Sequence, residues 1–468
     1  MSGKIGRKHF RQRLDRMIGE LRSDIVSGKL PAGAYLPSEK DLEQLYELSN
    51  QSVRKGLDVL VQEKLIEKMP RIGNRVVVPP TGQRTVVRFG YHSTSENDIG
   101  IFGLLELFHA RYPHIQIQPV ALPASTYSAF VKEHMEADML DVITINDINL
   151  QELVQYGADS LLESIDVHPD TYPFLQPLLT ETERPLVQPL LFSPVVLCYN
   201  REHLRERDIP EPDSSWGWDE LLRHARSLAV PGQRFGLYFH LLMRNRWPIF
   251  LLQHGVAFEN DASGAYRVRD RELIESLQIG KQLLAMSDAF PIVLSASDAD
   301  AEELFLKGKV SMIMTTYFAL NELRHADFRF DVAPIPHFRE FRTLLVMIGA
   351  AVNRHSSNPE AAKLLVEFLR SYDTQLHIRR HTLSIPANRR AAEWNGDEAM
   401  YRPSRFGMYR EIVPSYRTIG DLQLSYRQLS AMQKEIKLYW TGLLDEEALC
   451  RNVERVLAEA KHLEGQRA

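Results

Sequence analysis

Cysteine is nearly absent, with Cys198 and Cys450 the only two in 468 residues. Their distance in sequence excludes a zinc knuckle or a disulfide framework, and they read as reduced structural thiols. No run approaches the roughly 18 uncharged apolar residues of a membrane span, so no membrane partner is expected. The opening Met1–Phe10 is basic, but no apolar stretch with a small-residue cleavage site follows it, so the expected location is the cytoplasm. Histidine is scattered. His377 and His381 stand four apart on one expected helix, yet Arg379 and Arg380 between them make a poor setting for a cation, and no metal is expected. Neither a Gly-x-Ser-x-Gly elbow nor a Walker loop occurs, and there is no internal repeat or low-complexity tract.

What is present is ordinary globular material, 44% hydrophobic and 25% charged, in a chain long enough for several domains. The net charge of −5 averages unlike parts. Met1–Pro80 carries 15 Lys and Arg against 10 Asp and Glu, whereas the remainder carries 41 against 51. A basic head on an acidic body suggests that the head meets a polyanion.

The head has the pattern of a small α+β unit. Leu14, Met17, Ile18, Leu21 and Ile25 recur at helical spacing, and Gly28 with Leu30–Gly33 ends that helix. Ser38, with Asp41 three positions on, starts a short second helix as a capping box would. Ser49 opens a third helix, apolar at Val53, Leu57, Leu60 and Val61, with Asn50, Gln51, Ser52, Arg54 and Lys55 at its start. Such a helix can enter the major groove by its N-terminal end, where Asn and Gln suit base edges and Arg and Lys suit guanine or phosphate. Leu65–Lys68 and Arg75–Val78 read as strands of a basic hairpin, or wing, with Gly73-Asn74 at its tip.

The stretch Leu30–Leu42, with its Pro37-Ser38-Glu39-Lys40, resembles the signature of the GntR family of regulators, as do Ser49–Leu60, Glu63–Glu67 and the wing glycine. The resemblance implies a winged helix-turn-helix over residues 1–79 and double-stranded operator DNA as partner. It places Lys40, Arg54 and Gly73 at the DNA. Family members often carry an arginine where this chain has Asn50, so operator preference is not transferable. The full expected interface is Lys40, Ser49, Asn50, Gln51, Ser52, Arg54, Lys55, Gly73, Asn74 and Arg75, with Lys40 and Arg54 on phosphate and Asn50 and Gln51 on bases.

A short Pro/Gly-containing joint, residues 80–85, precedes a change of pattern. Val86–Tyr91, Ile99–Arg111, Ile115–Val120, Ser125–Ala137 and Asp141–Ile145 read as a βαβαβ run, implying a mostly parallel sheet covered by helices. Several later segments resemble the bacterial extracellular solute-binding proteins of ABC importers, the sugar-binding type above all. They are Val195–Asn200, Trp216–Ala225, Gly308–Met312, Asn358–Ala362 and Ser384–Asn388. The resemblance implies a two-lobed α/β periplasmic-binding-protein-like domain over residues 86–468, whose ligand is a sugar or oligosaccharide.

Ligand contacts are expected at strand-to-helix junctions. The candidates are Ser93, Thr94, Ser95, Asp147, Tyr199, Trp247, Thr315, Thr316, Tyr317 and Ser384, with Asp147, Trp247 and Tyr317 foremost. Together these features predict a ligand-responsive transcription regulator that acts as a dimer on a palindromic site, with no catalytic residue and no cofactor. The alternative is a regulator fused to a pyridoxal-phosphate aminotransferase-like domain. It requires a Schiff-base lysine, and Lys281, Lys307 and Lys309 are poorly placed for that role.

Overall fold

The computed structural model describes the chain except residues 1–12, 15, 23, 26–28, 32, 63–64, 70–71, 78–84, 124–125, 180–183, 261–265, 292–296, 397–401 and 466–468. Most of the expected joint and part of the wing turn therefore lie outside the described residues. Residues 13–14, 16–22 and 24–25 are helical (α1) and bury Met17, Ile18, Leu21 and Ile25. Helix α2, Glu39–Tyr46, starts at Ser38, whose Oγ accepts from the Asp41 N–H while the Asp41 carboxylate accepts from the Ser38 N–H. Helix α3 spans Asn50–Gln62, with Val53, Leu57 and Leu60 wholly buried against α1 and α2. Gly56 lets α3 approach α1 closely, since a Cβ there would lie 2.3 Å from Met17 Cε.

Strands β1 (Ile66–Met69) and β2 (Gly73–Val76) form an antiparallel hairpin, and residues 33–36 lie along its outer edge through Leu36 N–H to Asn74 O and Val76 N–H to Ala34 O. These elements share one apolar core.

The larger part is built on a ten-stranded sheet. Its strands are β3 (Thr85–His92), β4 (Ile115–Leu122), β5 (Val142–Asn146), β6 (Gln188–Asn200), β7 (Phe235–Tyr238), β10 (Val310–Thr316), β11 (Phe330–Ala333), β12 (Thr343–Val352), β13 (Ile385–Pro386) and β14 (Tyr416–Arg417). A separate hairpin supplies β8 (Phe258–Asn260) and β9 (Tyr266–Val268). The main path is β4-β3-β5-β12-β6-β10-β7.

The expectation of a mostly parallel sheet needs correction. The ladders β3–β4, β3–β5 and β7–β10 are parallel, but the spine is antiparallel: β12 pairs antiparallel with β5 and β6, and β10 and β11 with β6. The cause is that β6 and β12 are long, wholly buried strands that run through both halves of the sheet and turn back on one another. Apolar residues without alternation mark them as buried on both faces but say nothing of direction. Helices Ile101–Arg111 and Pro359–Arg370 cover one face of the first half. Helices Trp218–Leu228, Pro248–His254 and Asp270–Leu284 belong to the core of the second, with Tyr426–Trp440 and Glu446–Gly465. The chain thus folds as a small helix-turn-helix region followed by a large mixed α/β domain.

Candidate functional sites: a nucleic-acid face and a strand-end junction

The first two turns of α3 display Asn50, Gln51, Arg54 and Lys55 to solvent, opposite the buried Val53 and Leu57, with Ser49 and Lys40 exposed beside them. Two of these groups, Asn50 and Arg54, are held in place. Glu39 and Glu43, four apart on α2, face the start of α3. Glu39 Oε2 accepts from Arg54 Nε at 2.8 Å and lies 3.4 Å from Asn50 Nδ2, which also donates to Glu43 Oε1. The beginning of α3 is therefore held by carboxylates of the preceding helix.

Two expected contacts are corrected. Ser52 is buried, its Oγ 2.8 Å from Ser49 Oγ, because it sits on the inward side of the first turn. Asn74 is buried within β2 rather than at the wing tip, because β1 and β2 extend further than the sequence pattern suggested and Met69 pairs with Gly73. Gly73 is exposed at φ +137°, a conformation that favours glycine. Ile72 is the exposed apolar residue before it. Arg75 crosses the hairpin to Glu67, Nε to Oε1 at 2.8 Å.

In the large domain the short helices that follow β3 and β10 meet. Ser384 Oγ donates to Asp98 O at 2.7 Å and accepts from Asn321 Nδ2 at 2.9 Å. Asn97 Nδ2 donates to Glu322 Oε1 at 2.5 Å, and Thr315 Oγ1 to Glu302 Oε1 at 3.3 Å. The Ser384 and Asn97 bonds join the helix Glu96–Ile99, which follows β3, to Leu320–Leu323, which follows β10, while the Thr315 bond ties β10 to the helix Asp298–Leu306. Burial first, then the neighbouring Glu302 and Glu322, push the Asp98 carboxyl up to about 8.

On the β5 side Asp147 is buried with Oδ1 accepting from Met347 N–H at 3.3 Å, and burial raises its carboxyl to about 6. Nearby, Thr144 accepts from His92 N–H at 3.0 Å through its hydroxyl and from Tyr127 OH through its carbonyl. A second connection runs from Arg244, 4.1 Å over the Tyr426 ring, through Tyr426 OH to Glu152 Oε1 at 2.8 Å, and from Glu152 Oε2 to Ser128 Oγ at 2.6 Å. A hollow of about 830 Å³ adjoins it, lined by Gln151, Tyr156, Ser425, Tyr426 and Arg427 among others.

The expected ligand residues divide accordingly. Thr315 and Ser384 lie at the junction, and Thr316, which ends β10 beside Thr315, is buried. Ser95 is buried and Ser93 exposed, while the Thr94 side chain lies outside the described residues. Asp147 is at the end of β5.

Three candidates sit elsewhere or serve another purpose. Tyr199 is opposite Met312, four residues along the ladder from the Thr316–Val195 pair, and its hydroxyl donates to Glu211 at 2.9 Å. Tyr317 is a core residue, its ring edge-on to Phe406 and Tyr409 and its hydroxyl on Phe406 O at 3.0 Å. Trp247 is wholly buried at the start of Pro248–His254, so its ring presents no free face, although its Nε1 finds no acceptor among the described residues. Bulky aromatics beside strand ends look alike in sequence whether they line a cleft or fill a core.

Asp98, Asn97, Glu302, Glu322, Glu152, Arg244 and Tyr426 were not anticipated. The only available signal for Asp98 was an acidic residue a few positions past a strand. The lysines weighed for a Schiff base are scattered: Lys281 lies over the Tyr439 ring, Lys307 pairs with Glu303, and Lys309 is exposed.

Residues 104–401 match the family described as bacterial extracellular solute-binding protein. The chain belongs to that family. Within this solute-binding protein, residues 14–76 match a second family, the bacterial regulatory proteins of the gntR family. Two curated relatives, named as binding proteins of Brucella abortus (strain 2308) and Brucella suis biovar 1 (strain 1330), are each 23% identical over 259 residues. The match takes in 50% of this chain and 60% of theirs, so the chain spans about three fifths of their length.

Among solved structures, an ABC substrate-binding protein of Listeria monocytogenes in complex with cycloalternan superposes with a TM-score of 0.68 at 16% identity. It covers 81% of this chain and 99% of that one. Maltose-bound MalE3 of T. maritima gives 0.67 at 19%, covering 81% and 100%. Both likenesses establish the fold. Among the described residues no helix is long and apolar enough to cross a membrane.

Proposed function

We propose that this solute-binding protein is a ligand-responsive transcription regulator. Its winged helix binds operator DNA, and the cleft between the two halves of the sheet binds a carbohydrate. The observation that carries the reading is the exposed polar start of α3, with Asn50, Gln51, Arg54 and Lys55, in the same chain as a solute-binding domain. Gln51 and Asn50 suit base edges, and Lys40, Lys55 and Arg54 suit phosphate. Carboxylates at the strand ends, such as Glu302 and Glu322, suit sugar hydroxyls, which donate to them. Ligand shifts the balance between two arrangements of the halves by no more than its differential affinity for them. Two copies on a palindromic site would bring two α3 helices to successive major grooves. A regulator of this kind works in the cytoplasm, where the DNA is.

The test is a thermal-shift screen with mono- and oligosaccharides, followed by DNA-binding titrations with and without each hit. A sugar that raises the melting temperature and changes DNA affinity is expected. A sugar that binds without altering DNA affinity would sink the coupling, and a protein indifferent to DNA at low salt would sink the reading as a whole.

A further inference from the structure

We infer that Asn50 offers only its amide oxygen to the groove, and therefore reads adenine or cytosine against guanine or thymine, with Glu43 as the positioning residue that imposes this. The inference rests on the DNA-binding reading above. Glu39 and Glu43 lie on one face of α2, and Asn50 Nδ2 is directed at both, donating to Glu43 Oε1 and lying 3.4 Å from Glu39 Oε2. An ionised carboxylate only accepts hydrogen bonds, so the amide is not free to turn round; that would set oxygen against oxygen. Glu39 is in turn fixed by Arg54 Nε at 2.8 Å. Both Nδ2 hydrogens are thus directed at the α2 carboxylates, which leaves Oδ1 as the end of the amide open to a base.

In the major groove the exocyclic amines of adenine and cytosine are donors, whereas guanine O6 and N7 and thymine O4 are acceptors. The two-pointed pairing of asparagine with adenine needs an Nδ2 hydrogen for N7, and here the carboxylates occupy it. Adenine therefore loses its advantage over cytosine, and both bases with outward amines are accepted alike. The same arrangement leaves both terminal nitrogens of Arg54 available for phosphate, since only Nε is taken by Glu39.

The experiment is selection of binding sequences from a randomised duplex library at low salt. It uses the full-length protein beside its Asn50→Ala, Glu43→Ala and Glu43→Gln variants. The operator position that loses its preference in Asn50→Ala is the one Asn50 reads. There the unaltered protein is expected to take adenine and cytosine within about threefold of each other, and each roughly tenfold over guanine and thymine.

Glu43→Ala releases a hydrogen for N7 and is expected to favour adenine over cytosine by roughly tenfold. Glu43→Gln, whose amide oxygen still accepts from Nδ2, is expected to keep the original preference. Guanine, thymine or adenine alone at that position overturns the inference, as does an unchanged profile in Glu43→Ala or no position lost in Asn50→Ala, while sequence-specific binding stands. A pool in which the unaltered protein enriches nothing overturns the inference and the DNA-binding reading together.

Discussion

Arg54 and Asp98 show how differently single charges are used in the two parts of the chain. Arg54 is exposed, and its pairing with Glu39 fixes the direction of the guanidinium rather than adding much to stability. Arg54→Ala should weaken binding to every DNA sequence and lower the salt dependence by about one phosphate contact, read from affinity against salt concentration. Asp98 has the opposite character. Its carboxyl is raised in the fold by burial and by Glu302 and Glu322, so the native state holds its proton more tightly than the unfolded chain does. Stability from this group is whole below about pH 4, the unfolded value, and falls as pH climbs toward about 8. Asp98→Asn should remove that decline, visible in melting temperatures taken across the window. A slope unchanged by the substitution would mean that the carboxyl titrates normally. The residue types at the start of α3 were legible in sequence. The carboxylate partners of Asn50 and Arg54 were not, because Glu39 and Glu43 approach them from another helix.

Secondary elements were legible wherever periodicity and a boundary signal agreed. The Ser38–Asp41 box, the apolar stripe Val53–Leu57–Leu60 and the helix Trp218–Leu228 all stand where spacing put them. Strand direction was not legible, since β6 and β12 are buried on both faces and carry no alternation. The helix expected at Ile99–Arg111 is two helices, broken at Gly100 with φ +69°. Close contact between elements also escapes pattern reading. Gly236 in β7 lies so near the helix Trp218–Leu228 that a Cβ would fall 1.8 Å from Ala225 O, a backbone atom without freedom to withdraw. Gly236→Ala should cost about 3 kcal/mol, the upper part of the range for overpacked cores, measured as a shift in denaturation midpoint. Leu57→Ala should destabilise the helix-turn-helix core by roughly 2–5 kcal/mol and weaken DNA binding through unfolding, in contrast to Arg54→Ala, which leaves the melt unchanged.

For the whole molecule, the bond Asn97–Glu322 ties the helix after β3 to the helix after β10, in opposite halves of the sheet, and Ser384, bonded to both Asp98 and Asn321, bridges the same two helices. Glu322→Ala should loosen that tie, and small-angle scattering of the variant should show a larger radius of gyration if the halves separate on its loss. The same sheet has a bearing on how such a protein can be rearranged. Its first half is made from residues near 85–146 together with the returning β12 and Pro359–Arg370, and β6 threads both halves. No single cut through the polypeptide yields one half as a continuous piece. Trimming, grafting or gene fusion can therefore exchange this large domain only entire, whereas the short basic head, contiguous in sequence, can be cut away in one piece.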